Sequence, residues 1–150
     1  MKIKPSMVVG PAADPYILRW FLFRTERFGN KLPRLYLHKF LRSDDDRAPH
    51  DHPWWFISVL LRGSYVEHRW IDGVETIHRR RAPSIAFRPL STRHRVMLDE
   101  HTNMGGWTLP IERWQDPVWT LILTGPAVRT WGFWCKETFV PSREFDGCGE

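Results

Sequence analysis

From Leu35 onward the chain is cut into short strand-forming runs separated by turn residues. Leu35–Leu41 alternates apolar and polar side chains. Trp54–Leu61 is rich in aromatic and β-branched residues and stops at Arg62-Gly63. Ser64–Trp70 follows. Asp72-Gly73, a pair suited to the positive φ angles of a two-residue hairpin turn, then returns the chain into Val74–Arg79. Pro83–Phe87, Arg93–Leu98, Val118–Leu123 and Arg129–Cys135 read as further strands, with Gly125-Pro126 between the last two. About eight short strands at such spacing must close into a barrel or stack as two sheets, because unpaired edges template aggregation. The expected class is all-β.

The 150 residues suit one domain. We read 1–34 as an N-terminal arm or short helix, 35–135 as the barrel and 136–150 as a tail. Asp14-Pro15 has the form of a helix N-cap followed by Pro at the first helical position. The run Tyr16–Arg24 would then be helical, although its near-continuous apolarity fits a strand equally. Residues 99–116 read as a long loop, a length often tied to function.

No run approaches the roughly 20 apolar residues that span a bilayer, and the N-terminus does not read as a signal peptide. A cytoplasmic protein is therefore expected. Cys135 and Cys148 are too few for a disulfide framework; a cytosolic setting favours free thiols, with one bridge left open. The net charge of +5 and pI near 9.6 permit polyanion binding. The only dense basic run, His78–Arg81, reads as a solvated strand end, so nucleic acid is not an expected partner.

The sharpest local feature is His50-Asp51-His52-Pro53-Trp54. In an extended segment residues i and i+2 face one side, so two imidazoles there reach one metal ion. Some forty residues later, Pro89-Leu90-Ser91-Thr92-Arg93-His94 places a third imidazole at the start of another strand. Together these segments resemble the cupin superfamily, whose first motif pairs His-x-His with a later Glu and Gly and whose second has the form Pro-x-Gly-x-x-His. Pro89, His94 and Gly63 match, and Ser91 stands at the second motif's Gly. The resemblance spans roughly 35–135. It implies a double-stranded β-helix, or jelly-roll barrel, with one divalent metal held by His50, His52 and His94. Leu41–Arg47, Gly125-Pro126 and Arg129–Trp134 also resemble small cupin-like proteins of bacteria and their phages, a likeness that implies no reaction.

One departure matters. The family's Glu, five residues after the second His, is Ile57 here. Three readings stay open: a three-His centre like that of the thiol dioxygenases, a carboxylate supplied from elsewhere by Glu67 or Asp51, or a site that has drifted and binds metal poorly. Glu67, Asp51 or one of Asp44–Asp46 would alternatively accept a ligand imidazole N–H. Fe(II) on three neutral ligands favours anionic co-ligands; Zn(II) there would acidify water; Ni and Mn also fit. The cysteine dioxygenases carry a late Tyr beside the iron, but Tyr16, Tyr36 and Tyr65 all precede His94, which argues against that assignment.

The remaining histidines are read more plainly. His38 is a satisfied core or rim residue, His68 and His78 face solvent, and His101 lies in the long loop. Alternation sends Trp54 and Phe56 to the face of the His pair and Trp55 to the other, and one or two tryptophans wall a ligand pocket. The expected function is a metal-binding cupin, an Fe(II) oxygenase of a small anionic molecule oriented by Arg93 or Arg95. The alternative is a non-catalytic cupin that binds a small molecule or sugar. A homodimer is the expected assembly.

Overall fold

The computed structural model describes residues 4–23, 33–44, 48–103 and 112–148. These form thirteen strands: β1 Met7–Val9, β2 Ile17–Phe21, β3 Arg34–Phe40, β4 Phe56–Arg62, β5 Ser64–Ile71, β6 Val74–Arg81, β7 Ser84–Arg88, β8 Arg93–Leu98, β9 Glu100–Asn103, β10 Glu112–Gln115, β11 Val118–Thr124, β12 Gly132–Cys135 and β13 Thr138–Pro141. No helix occurs among the described residues, and none is therefore long and apolar enough to cross a membrane.

Two antiparallel layers enclose the interior. One is a six-stranded sheet in the order β1-β2-β3-β11-β4-β7; the other contains β6-β5-β8 and the hairpin β12-β13. His50 joins the two parts of the second layer, pairing with His94 of β8 on one side and Phe133 of β12 on the other. The β5–β6 turn is the expected one, with Asp72 at φ 51° and Gly73 at φ 76°. This is the cupin-type double-stranded β-helix expected from the sequence.

The N-terminal expectation needs correction. Tyr16–Phe21 is not helical: Ile17–Phe21 forms β2 and pairs in register with Phe40–Tyr36 of β3. The apolar run buries more area against a sheet than a single helix turn would, so tertiary pairing overrides the Asp14-Pro15 cap signal. The tail also folds back. Cys135 and Cys148 are joined by a disulfide rather than left as free thiols. Asp99–Asp116 begins and ends as strand, since β9 pairs with β10; residues 104–111 between them lie outside the described set.

The polarity of the six-stranded sheet is unusual. Its inner face carries Arg19, Tyr36, His38, Ser58, Thr120 and Thr124. Its outer face carries Ile57, Val59, Leu61, Ile85, Phe87, Leu121 and Leu123, with Ile85 71% and Phe87 57% exposed. The apolar core sits at one end of the barrel, where Leu60, Tyr65, Val96, Leu98 and Val118 pack with Phe40 and Ala82. Two glycines at the opposite end allow close approaches. Gly125 lies under the indole of Trp55, and a Cβ on Gly132 would fall 2.1 Å from the Val140 carbonyl oxygen.

That contact is with backbone, which cannot swing aside. Gly132→Ala is expected to cost about 2 kcal/mol or more, the scale of overpacking a closed site. Urea unfolding checks this; an unchanged midpoint would show that β12 and β13 separate freely.

Candidate metal centre

His50, Asp51 and His52 run extended beside β8. His50 exchanges both backbone hydrogen bonds with His94, at 3.0 and 2.9 Å. Asp51 points the other way and is 1% exposed. Its carboxylate accepts from the Gly132 N–H (2.9 Å) and the Trp134 indole (3.1 Å), and Arg129 Nη2 lies 3.1 Å away. Those three partners pin the segment to β12, and alternation turns His50 and His52 inward. Ring centroids then stand 4.8 Å (His50–His94), 5.1 Å (His50–His52) and 5.1 Å (His52–His94) apart. One nitrogen from each ring falls within 4.8 Å of the others.

The His94 tautomer follows from its neighbour. Glu67 Oε1 is 2.7 Å from His94 Nδ1. A carboxylate only accepts, so Nδ1 carries the proton and Nε2 turns its lone pair to the centre. Burial alone would raise the Glu67 pKa. Hydrogen bonds from His94 and Arg88 outweigh it and hold the carboxyl far below the usual range. Arg88 Nε donates to Glu67 Oε1 at 2.9 Å, and its Nη2 donates to Oε2. Asp44 lies 3.8 Å from His50 Nδ1 and accepts from the Val96 N–H. Burial lowers His50 to about 4 against the pull of Asp44, and pushes His52 well below its ordinary value. His50 and His52 are thereby suited to offer neutral lone pairs.

This donor set fits a divalent metal ion. His52 Nε2 and His94 Nε2 are 2.9 Å apart, close to the ~3.0 Å separating two ligands at right angles on bonds of about 2.1 Å. No carboxylate joins them among the described residues. Ile57 faces outward, paired with Phe87 and Leu123, and Phe56 takes the inward position, 4.8 Å from the His52 ring and 5.9 Å from His94. Glu67 and Asp51 are both occupied elsewhere: Glu67 accepts from His94 and orients it, whereas Asp51 meets Gly132, Trp134 and Arg129 and no ligand ring. Three neutral donors leave further coordination positions open, as in catalytic sites.

The histidines open onto a cavity of about 400 Å³, at the small end of ligand pockets (about 300–1,000 Å³). Trp54, Phe56 and Trp131 line it, as the alternation of Trp54-Trp55-Phe56 predicts. Arg93 and Arg95 do not line it. They alternate with His94 and Val96 on β8 and so face outward; Arg93 stacks on Trp134 with its guanidinium carbon 3.3 Å from the ring centroid. The cations that do line it are Arg19, Arg80 and Arg88. Strand periodicity would have found Arg88 and Arg80 once β6 and β7 were placed, whereas Arg19 was concealed by the helix reading. His38 is buried and satisfied, accepting from Arg19 Nε at 2.8 Å. His68 and His101 pair on the outside with Glu75 and Asp116, and His78 with Thr76. Asp45 and Asp46 lie outside the described residues.

Comparison with known proteins supports the fold. No family model matches the chain, and no curated protein matches it by sequence. Solved structures do. The Fe(II) form of HppE aligns with a TM-score of 0.54 at 12% identity over 79% of this chain and 54% of that one. An uncharacterized Klebsiella pneumoniae protein with a double-stranded β-helix domain gives 0.51 at 16% over 84% and 89%. An S161A mutant of the Bacillus subtilis oxalate decarboxylase gives 0.55 at 13% over 87% and 30%. The chain spans little more than half the length of HppE. The class is thus a cupin-type β-helix whose barrel mouth holds a three-His cluster.

Two outcomes are expected. Glu67→Gln should weaken metal binding about 10- to 100-fold, the usual effect of losing a carboxylate behind a ligand imidazole; calorimetric titration of the folded variant with Zn(II) checks it. The metal-free protein should also lose stability as pH falls. Unfolded histidine takes up a proton near 6.5 and folded His50 only near about 4, so the unfolded state gains protons first. Between pH 7 and 5 His50 alone should remove about 2 kcal/mol. Urea midpoints flat across that window would contradict the neutral cluster.

Proposed function

We propose that the protein is an Fe(II)-dependent oxygenase of a small anionic molecule, with His50, His52 and His94 as the metal ligands. The observation that carries this reading is a cluster of three imidazoles, joined by no carboxylate among the described residues, opening onto a cavity that Arg19, Arg80 and Arg88 help to line. Such a centre keeps the full charge of a divalent ion and leaves positions for an anionic substrate and for dioxygen. Bound Fe(II) would supply the dioxygen chemistry. The chain's part is to hold His50 and His52 neutral through burial, orient His94 through Glu67, and wall the pocket with Trp54, Phe56 and Trp131. The Fe(II) of HppE, on the same fold, supports iron as the first metal to test.

A non-catalytic cupin that binds a small molecule or sugar is the second reading, favoured by the aromatic wall. The cytoplasmic expectation loses one support, since the Cys135–Cys148 bond is of a kind that persists in oxidising compartments. A homodimer through the apolar outer face of the six-stranded sheet belongs to the same proposal, because so large an exposed apolar surface marks an interaction site.

Protein purified without added metal is expected to contain iron near one equivalent, and to consume oxygen with thiol or keto-acid substrates. Replacing all three histidines with Ala should abolish both. Absence of uptake after iron reconstitution would overturn the oxygenase reading, and ligand affinity unchanged by the triple replacement would favour the binding module. Light scattering should give twice 17.9 kDa; a monomer mass would remove the dimer.

A further inference from the structure

A second cavity, of about 430 Å³, lies apart from the metal site, and none of His50, His52 and His94 lines it. Three turns converge on it: Asp72-Gly73 after β5, Pro89–Thr92 between β7 and β8, and Glu137 between β12 and β13. Three arginines line it, and two of them are spent. Arg88 donates through Nε and Nη2 to Glu67 and through Nη1 to the Phe87 carbonyl oxygen. Arg93 pairs with Glu137 at 3.3 Å and stacks on Trp134. Arg69 is different. Its guanidinium donates no hydrogen bond and has no carboxylate within ion-pairing distance among the described residues. Its Nε is shut off from solvent without a partner, whereas its two Nη groups remain accessible. Glu67, the acid whose charge it feels, is already shared by Arg88 and His94. A guanidinium desolvated along one edge and left unpaired is costly, and an anion beside it offsets the cost.

The turn between β7 and β8 adds hydroxyls. The Thr92 N–H donates to the Pro89 carbonyl oxygen at 3.0 Å and closes the turn. Ser91 and Thr92 then both line the cavity, and neither hydroxyl has a hydrogen-bond partner among the described residues. Ser91 stands where the motif Pro-x-Gly-x-x-His has Gly, so its hydroxyl belongs to this chain rather than to the cupin pattern. Two acids also line the cavity. Glu137 is answered by Arg93, and Asp72 stands exposed at the tip of its turn. Unspent donors therefore exceed the one free carboxylate among the described residues.

We infer that this second cavity binds the phosphoryl group of a small organic phosphate, held by the Nη groups of Arg69 and the hydroxyls of Ser91 and Thr92. A guanidinium edge and two hydroxyls offer more hydrogens than the two oxygens of a carboxylate take. A phosphoryl group uses them, with three terminal oxygens and close to two charges. The cavity has the size of pockets that hold organic ligands, about 300–1,000 Å³. Ile71, Phe87 and Pro89 supply an apolar wall for the organic part. The site shares only Arg88 with the cavity over the histidines, and it depends on neither a metal nor a reaction there.

The test measures binding to the full-length, metal-free protein by calorimetry and phosphorus NMR, with phenyl phosphate, inorganic phosphate and benzoate as probes. Phenyl phosphate should bind about tenfold tighter than benzoate, and tighter than inorganic phosphate. Arg69→Gln should lose about tenfold, and Arg69→Lys should recover part of it. The double variant Ser91→Gly, Thr92→Val should also weaken binding, and it serves if Arg69→Gln fails to fold by circular dichroism. Asp72→Asn keeps the turn, since Asn tolerates positive φ, and removes a repelling charge, so it should tighten binding. Arg81→Gln, an exposed charge outside the cavity, should change nothing. The variant with all three histidines replaced by Ala should bind phenyl phosphate like the native protein. Several outcomes would overturn the site: no binding of phenyl phosphate, variants at Arg69 and at Ser91 and Thr92 that bind normally, Arg81→Gln costing as much as Arg69→Gln, or binding lost with the histidines. Benzoate binding equally well would overturn the phosphoryl assignment, and inorganic phosphate binding equally well would overturn the organic ligand.

Discussion

One buried carboxylate ties the two layers of this barrel together. Glu67 stands on β5 in the second layer, is 1% exposed, and meets Arg88 from β7 of the six-stranded sheet and His94 from β8 beside it. An ionised carboxylate in such a place is costly unless every lone pair is used. Here the sheet-to-sheet contact, the counter-charge and the orientation of a metal-facing imidazole are all met at once. Removing either partner leaves an uncompensated charge in the interior, so this ion pair constrains both layers in a way that an apolar contact of equal volume would not. It also explains why Glu67 does not serve as a ligand: an oxygen turned to the centre would abandon Arg88.

The rest of the interior follows from housing such a pair. Apolar packing is confined to the closed end around Leu60 and Val118, and the open end is held by hydrogen bonds instead. Asp51 does there what a core leucine does elsewhere, fixing β12 against the histidine segment through three partners. On the six-stranded sheet, polar side chains share the inner face with Ile17, Phe40, Phe56 and Ile122, and further apolar ones stand on the outer face of β4, β7 and β11. A sheet arranged this way trades a self-contained core for a cavity, and its outward surface then needs a cover.

Much of this was legible in the sequence because period-2 alternation is robust where one face must be buried. Trp54-Trp55-Phe56 sorted themselves between cavity and exterior as alternation requires, and Asp72-Gly73 made its turn. The histidines came together because two sit at i and i+2 on an extended segment and the third opens a paired strand. What was not legible depends on partners distant in sequence. β2 looks helical until β3 is beside it, since local cap chemistry and apolarity agree with either state. Arg93 and Arg95 flank His94, but neighbours on a strand face opposite ways, so adjacency to a ligand argued for the wrong face. Glu67 offered no local signal to separate a ligand from an orienting acceptor; only Arg88, 21 residues on, decides it.

The empty carboxylate position and the cavity-lining Arg19 bear on one another. A cupin centre with a Glu ligand would carry one charge fewer and would tolerate a neutral ligand. With Phe56 inward and Ile57 outward, none of the described residues lowers the charge of a bound divalent ion. Arg19 adds a further positive charge, and Glu67 and Asp51 are already cancelled by Arg88 and Arg129. A divalent ion held by the three histidines would add to the charge of Arg19 and make the field in the cavity positive. Such a field stabilises an anion and destabilises a second cation. It penalises the empty, metal-loaded state itself, so binding an anion relieves repulsion between the ion and Arg19 as well as making new contacts. Since Arg19 comes from β2, the segment outside the cupin-like region of the sequence contributes to the lining of the cavity.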